Sequence, residues 1–329
     1  MKKKQSCPIY GGQAIVEGVM FGNSQETVSA IRRNDGSIHY FYAPKTELEK
    51  TKPLKKIPFI RGIVSLIDSA LLGSKHLNYS TDRYEVDPNE PITQEEPSKL
   101  TMVLGVVAVT ILSLFFGKFL FTVIPVFLAE IFQTWAPSRP AQVLIETGFK
   151  LILLLGYIAL IAQAPTIKRV FQYHGAEHKV INAFEQGKPL TVENVRQASR
   201  LHYRCGSSFI LLTVIVGMII YFFVPADPLW LRLTNRILLI PVVIGVAFEV
   251  LQFTNAVRDI PILKWLGYPG LLLQLLTTKE PSDDQIEVAI HSFKKLREVE
   301  RVGLQAFDYT FVTFDETVKE YHRSVQSSS

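Results

Sequence analysis

Cysteine is scarce in this chain. Its 329 residues include two, Cys7 and Cys205, far apart in sequence, which excludes a disulfide framework and fits thiols kept reduced on a cytosolic face. Glycines 11, 12 and 18 are followed by no Gly-Lys-Ser/Thr, so they form no phosphate loop and serve tight turns instead. No nucleic-acid-binding motif accompanies the formal charge of +5 or the pI near 9.0. Lys and Arg in a chain this apolar belong beside anionic lipid on the cytosolic side, so membrane lipids and other membrane proteins are the expected partners. The opening MKKKQSCPIYGG is basic with no apolar run after it, which reads against a secretory signal peptide. No inverted repeat is visible, which lowers a transport reading.

Apolar residues are abundant, at 48% of the chain. Four runs are expected to span a membrane, at 100–121, 143–164, 207–224 and 237–256, each near the length that crosses roughly 30 Å of hydrocarbon. Pro125, Pro137 and Pro140 are read as the turn between the first two, and Pro241 as a kink in the fourth. Lys and Arg number fourteen in 1–99, seven in 165–206 and nine in 257–329, against one in 131–142 and two in 225–236. The rich regions should share the cytosolic side, with both termini inside. The expected fold is thus an α-helical membrane bundle of about four spans carrying a cytosolic α+β cap. The expected units are a β-containing region with an interfacial helix and acidic linker (1–98, with the helix at 57–77 and the linker at 82–98), spans one and two (99–164), a central loop (165–206), spans three and four (207–256), and an interfacial segment with a C-terminal helix and tail (257–329).

Within the first unit, 13–21 is rich in strand formers, and 27–33 and 37–43 flank Asn34-Asp35-Gly36, a hairpin turn signal. In the last unit, Ser282-Asp-Asp-Gln285 opens a helix as a capping box, with Ile286, Ile290 and Phe293 on one face running to about 302. That helix is expected on the β region, with 310–313 adding a strand. The run 263–276 is too short to span and reads as interfacial or re-entrant.

Chemistry concentrates in 173–209, which holds three of the seven histidines and Cys205. On a helix, His174 and His178 share one face with Cβ atoms roughly 5–6 Å apart, a spacing that suits two nitrogen ligands on one metal. Glu177 stands between them. His-x-x-Glu-His is the inverted zinc-peptidase order, with two ligands and a general base, although the same five residues also occur on solvated helix faces. His202 and Cys205, in His-Tyr-Arg-Cys, complete a candidate set of three imidazoles and one thiolate. Use of all four makes a closed structural site, whereas catalysis needs an open position. The soluble peptidases' distal glutamate helix has no clear counterpart here. Glu17, Glu249 and Arg204 stay open as further candidates. Glu17 is either a solvent-facing strand residue or a carboxylate aimed at the histidines. Glu249 lies roughly 10 Å inside the fourth span at about 1.5 Å per residue, a depth where a carboxylate is expensive. It reads as a ligand, a proton-handling group, the partner of an arginine such as Arg204, or an interhelical hydrogen bond.

The stretches YGGQAIVEGVM, YHGAEHKVINAFE, HYRCGSSF and PGLLLQLLTTKEPSDDQIEVAI resemble the YqhQ-like family of bacterial multipass membrane proteins, over nearly the whole chain. That resemblance implies a plasma-membrane protein predicted to be a metal-dependent enzyme of uncharacterised activity. Three functions follow as expectations. The first is a membrane hydrolase with zinc or another divalent transition metal on His174, His178 and His202 or Cys205, and Glu177 as base. The second is a non-enzymatic scaffold or biogenesis factor with a structural metal. The third is a transporter, for which Glu249 is the hint.

Overall fold

The computed structural model describes residues 10–45, 53–84, 112–113, 115–117, 119–257, 260–302 and 312–314. Cys7, most of the expected linker at 82–98, the greater part of the expected first span and the tail beyond 314 lie outside these residues.

Three short reversals build the N-terminal antiparallel sheet. Strand β1 (Gly11–Ile15) pairs antiparallel with β2 (Gly18–Gly22), Gly12 opposite Phe21. The run 13–21 is therefore two strands, broken at Glu17, whose φ of 50° reverses the chain. Strand β3 (Glu26–Arg32) follows, then β4 (Ile38–Pro44) through the expected Asn34-Asp35-Gly36 turn. Gly36 sits there at φ 85° and Asp35 Oδ1 accepts from Ser37 N at 2.9 Å. Strand β5 (Val312–Phe314) joins β4 in parallel and completes the order β1-β2-β3-β4-β5.

Each sheet face takes helices. Helix α1 (Ile60–Tyr84) is longer than the expected 57–77 segment and acts as a strut. Gly62 lies against Phe248 in the bundle, and Gly73 lies against Gln13 of β1. His76 is fully buried between Thr27 and Ser29 of β3, each 2.9 Å away. Much of the rest of α1 is apolar and exposed, including Ile60, Ile67 and Leu71, as an interfacial helix requires. After the described part of the first apolar run, the chain stays helical through Pro125 in α2 (Ile124–Ile131), so the turn comes later than expected. Pro125 follows directly on a π-helical turn, Phe119–Val123, that runs into α2.

Helix α3 (Arg139–Ile161) has 23 residues and Ser138 as its N-cap. Only 11% of its apolar window is buried. Leu144, Ile152 and Leu160 face outward. Helix α4 (Pro165–Glu185) and the short α5 (Val192–Arg196) form the central loop region. Helix α6 (Gly206–Tyr221) spans 16 residues, or roughly 24 Å. Helix α7 (Leu229–Leu238) bends by 51° into α8 (Ile240–Ala256) beside Pro241, so the expected kink is a break between two helices. A 3-10 turn (Leu263–Gly267) leads to α9 (Tyr268–Thr277), and Trp265 stacks on Tyr268 at 4.4 Å. Helix α10 (Asp283–Val302) begins where Ser282 N donates to Gln285 Oε1 at 3.0 Å, half of the expected capping box.

The fold is therefore mostly helical with an N-terminal sheet. Its first core joins the sheet to α4 and α10 through Tyr10, Phe21, Val28, Tyr173, Ile286 and Phe293, and aromatic edges at 5.0–5.1 Å surround Phe293. A second core lies among α3, α6 and α8, around Val143, Leu212, Val216 and Val243. By length and composition, the described residues hold one helix able to cross a membrane, α3, or two if α7 and α8 form one span. Four were expected: the first lies mostly outside the described residues, and α6 falls short of 18 residues. These apolar helices suggest membrane association.

Candidate metal centre

The site is assembled on α4 and on the two chain segments that pass over it. His174 and His178 stand one turn apart with ring centroids 4.5 Å from each other. Between them Gly175 lets the chain after α9 lie flat on the helix: a Cβ there would fall 2.1 Å from the carbonyl oxygen of Lys279. Lys279 N donates to Phe171 O at 2.8 Å and locks that approach. The consequence is chemical. Thr277 O then accepts from His174 Nδ1–H at 2.8 Å, while Arg200 O accepts from His178 Nδ1–H at 2.6 Å. Both rings are held in the tautomer whose Nε2 lone pair is free to bind, the arrangement that orients metal-ligating imidazoles.

Those nitrogens converge on Cys205. Its Sγ lies 3.2 Å from His174 Nε2, and the ligand atoms of His174, His178 and Cys205 all fall within 4.8 Å of one another. Tetrahedral zinc bond lengths put such atoms roughly 3.5 Å apart. Cys205 is buried and N-caps α6, with Ser207 N at 3.4 Å from the sulfur. His178 Nε2 is buried with no protein partner. An orphaned buried acceptor costs about 1–3 kcal/mol, and a cation at the convergence point would satisfy it. The donor set and this orphan fit a zinc-like ion.

His202 stands beside the trio rather than in it. Its ring is 5.8 Å from that of His178, and its Nε2 faces Glu185 Oε1 at 3.8 Å, longer than a hydrogen bond. Gln274 pins this loop: its Oε1 accepts from His202 N at 2.8 Å, and its Nε2 donates to His202 O at 2.7 Å. Burial would raise the Glu185 carboxyl, but His202 and the Arg204 guanidinium hold it at about 2. Burial also lowers His202.

Glu177 is buried against the sheet, its Cγ and Cδ 2.9 Å from where a Cβ on Gly12 would stand. Burial raises its carboxyl to about 7, with His174 opposing. A cavity of about 400 Å³ is lined by Gly12, Gln13, His174, Glu177, His202 and Cys205. The glutamate and two of the three candidate ligands thus face one space.

The remaining candidates have other partners. Glu17 is neither solvent-facing nor aimed at the histidines. In the β1–β2 turn it forms an ion pair with Arg169 and accepts from Tyr173 Oη at 3.1 Å, and burial beside that carboxylate pushes the phenol well above its usual range. Arg204 forms its ion pair with Glu185. Glu249 accepts from Arg61 Nε at 2.8 Å and from Phe59 N at 3.1 Å, so its arginine is on α1. Sequence reasoning missed Thr277, Arg200 and Gln274, which act through backbone or at long range. Gly175, a glycine inside a helix, was a readable sign of close backbone approach.

Residues 57–299 match the family described as "Protein of unknown function (DUF1385)". The chain is also similar to "Uncharacterized protein YqhQ" of Bacillus subtilis (strain 168), 58% identical over 309 residues that cover 93% of this chain and 97% of the relative. No solved structure matches.

Proposed function

Since the chain belongs to the YqhQ-like DUF1385 family, whose function is uncharacterised, the site itself must carry the reading, and we propose a metal-dependent hydrolase working at the membrane surface. One observation carries it: His174, His178 and Cys205 bring three ligand atoms within 4.8 Å, beside a cavity that Glu177 also lines. Three protein ligands with a fourth position open are the pattern of catalytic zinc, whereas four close a structural site. A divalent transition metal, zinc by its His/Cys donor set, supplies Lewis acidity when bound.

The chain's own residues do the rest. The carbonyls of Thr277 and Arg200 fix both imidazoles, Glu177 takes the proton of an attacking water, and Gly12 leaves room for the carboxylate to turn. We place the protein as a four-span plasma-membrane protein with both termini in the cytosol, the site lying where the cap meets the bundle and so facing membrane-borne substrates.

The test is metal content of the purified full-length protein. Near-stoichiometric zinc is expected in wild type, in Glu177→Gln and in His202→Ala, with loss in His178→Ala and Cys205→Ser. Glu177→Gln should keep the metal and lose hydrolysis. Loss of zinc in His202→Ala as well would favour the scaffold reading, which the second unpartnered imidazole nitrogen, His202 Nε2, supports. A wild type that takes up no metal on reconstitution overturns the hydrolase. Glu249, the hint for transport, is occupied by Arg61.

A further inference from the structure

Strand β1 is an edge of the sheet, with β2 as its neighbour in the strand order. Ile15 and Gly18 face each other across a two-residue turn, which makes them a hydrogen-bonded pair. Arg32 N, donating to Glu17 O at 2.8 Å, fixes the same phase from the β3 side. Antiparallel ladders alternate between bonded and non-bonded pairs. Residues 11, 13 and 15 therefore turn their N–H and C=O groups toward β2, and Gly12 and Ala14 turn theirs outward. Among the described residues no hydrogen bond takes up those two N–H and two C=O groups.

Such edges are normally blunted by charge, by proline or by a covering element. The strand reads GGQAI, with neither charge nor proline. Gly11 is exposed, and Gly12, Gln13 and Ala14 are half-buried. The edge borders the histidine cavity: Gly12 and Ala14 line the same space of about 400 Å³ as His174, Glu177 and Cys205. Gly12 brings strand and site closest, since a Cβ on it would stand 2.9 Å from Glu177 Cγ and Cδ.

We infer that the substrate of this site is a polypeptide segment, bound in extended form as an added strand on β1. Donors and acceptors repeating at every second residue are matched by another peptide backbone, whereas an acyl ester or a sugar offers no such series. An antiparallel segment exchanges two bonds with Gly12 and two with Ala14, and its backbone then runs past Glu177. Hydrolysis adds the oxygen of water to a carbonyl carbon of the segment and breaks the C–N bond there. One water proton, taken by Glu177, passes to the leaving amine, so that a carboxylate and an ammonium result. The inference deepens the hydrolase reading and rests on it.

The test uses full-length Glu177→Gln protein in a neutral maltoside detergent, so that bound chains stay intact, and a pool of acetylated, amidated heptapeptides of random sequence. Retained peptides are read by mass spectrometry and their Kd by fluorescence anisotropy of labelled copies. Each amide nitrogen of a retained peptide is then methylated in turn. Methyl groups on alternate amides, those facing β1, should raise the Kd about tenfold or more, and those between them should leave it nearly unchanged. Ala14→Pro removes one outward N–H at an edge position that tolerates proline and should weaken the same peptides about tenfold while zinc content and Tm are kept. If that variant fails to fold, the methyl scan decides alone, because it leaves the protein untouched. Retention of no peptide, or a scan without a period of two, overturns the inference. Cleavage of an acyl ester by zinc-loaded wild type that retains no peptide overturns it as well and leaves the hydrolase standing. A period-two scan in a protein that takes up no metal overturns the hydrolase instead and leaves β1 a peptide-binding edge.

Discussion

His76 shows how one side chain ties two layers together and makes stability depend on pH. Thr27 Oγ1 donates to Ala43 O at 2.7 Å, so it accepts from His76 Nε2–H, and His76 Nδ1 then accepts from Ser29 Oγ. Burial, with Lys75 adding to it, drops this imidazole from 6.5 to about 3. The unfolded chain therefore binds a proton that the folded one refuses between those values. Stability should fall as pH drops from about 6.5 toward 3, by up to about 1.4 kcal/mol per unit from this residue. Chemical denaturation across that range measures the slope. His76→Gln, which keeps polar contacts and cannot titrate, should flatten it. An unchanged slope in the variant would assign the pH dependence to other groups. Glu17 belongs to the same scale: its identity was plain in the sequence, but its partner Arg169 is 152 residues away, and no local pattern encodes such a pairing.

Among elements, α10 was legible because a helix with one apolar stripe must bury it, whereas the 21-residue α4 stood inside a stretch read as a central loop. Ile286, Ile290 and Phe293 were read as a face, and they do pack on the sheet. Phe293 is fully buried against Tyr10, Phe21 and Phe184. Phe293→Ala should cost about 3–5 kcal/mol, seen as a lower urea midpoint. Phe253→Ala, at an outward-facing position on α8, should cost far less in detergent. Equal losses would mean that the sheet–helix core does not dominate stability. The apolar helices were less legible in extent. Proline was read correctly as a mark at 241 and incorrectly as part of the turn at 125, where the chain is helical on both sides. The charged pair Arg232 and Arg236 looked like loop cations by count alone; α7 turns them inward onto Glu146.

For the whole molecule, the four-span proposal makes a topological prediction. Reporter fusions at residue 135 and at residue 227 should read as external, and fusions after residue 190 and after residue 302 as cytosolic. Internal signal at 135 would remove the first and second crossings, and at 227 the third and fourth, and either would overturn the four-span placement. The strut α1 also has a role at this scale, since it touches the bundle at Phe248 and the sheet at Gln13 and Ser29 and so fixes how the histidine cavity sits on the apolar helices.

The sequence by itself determined the hairpin at Asn34-Asp35-Gly36, the capped C-terminal helix and the pairing of His174 with His178, because turn chemistry, caps and helical spacing act within a few residues. Membership of the family was equally readable, in long contiguous motifs. Only the tertiary structure decided that Cys205 joins the two histidines while His202 stands aside, that Glu249 meets Arg61, and that the carbonyls of Thr277 and Arg200 orient the imidazoles. Those outcomes depend on which distant segments pack together, and packing is settled by the fit of whole surfaces rather than by the residues next in line.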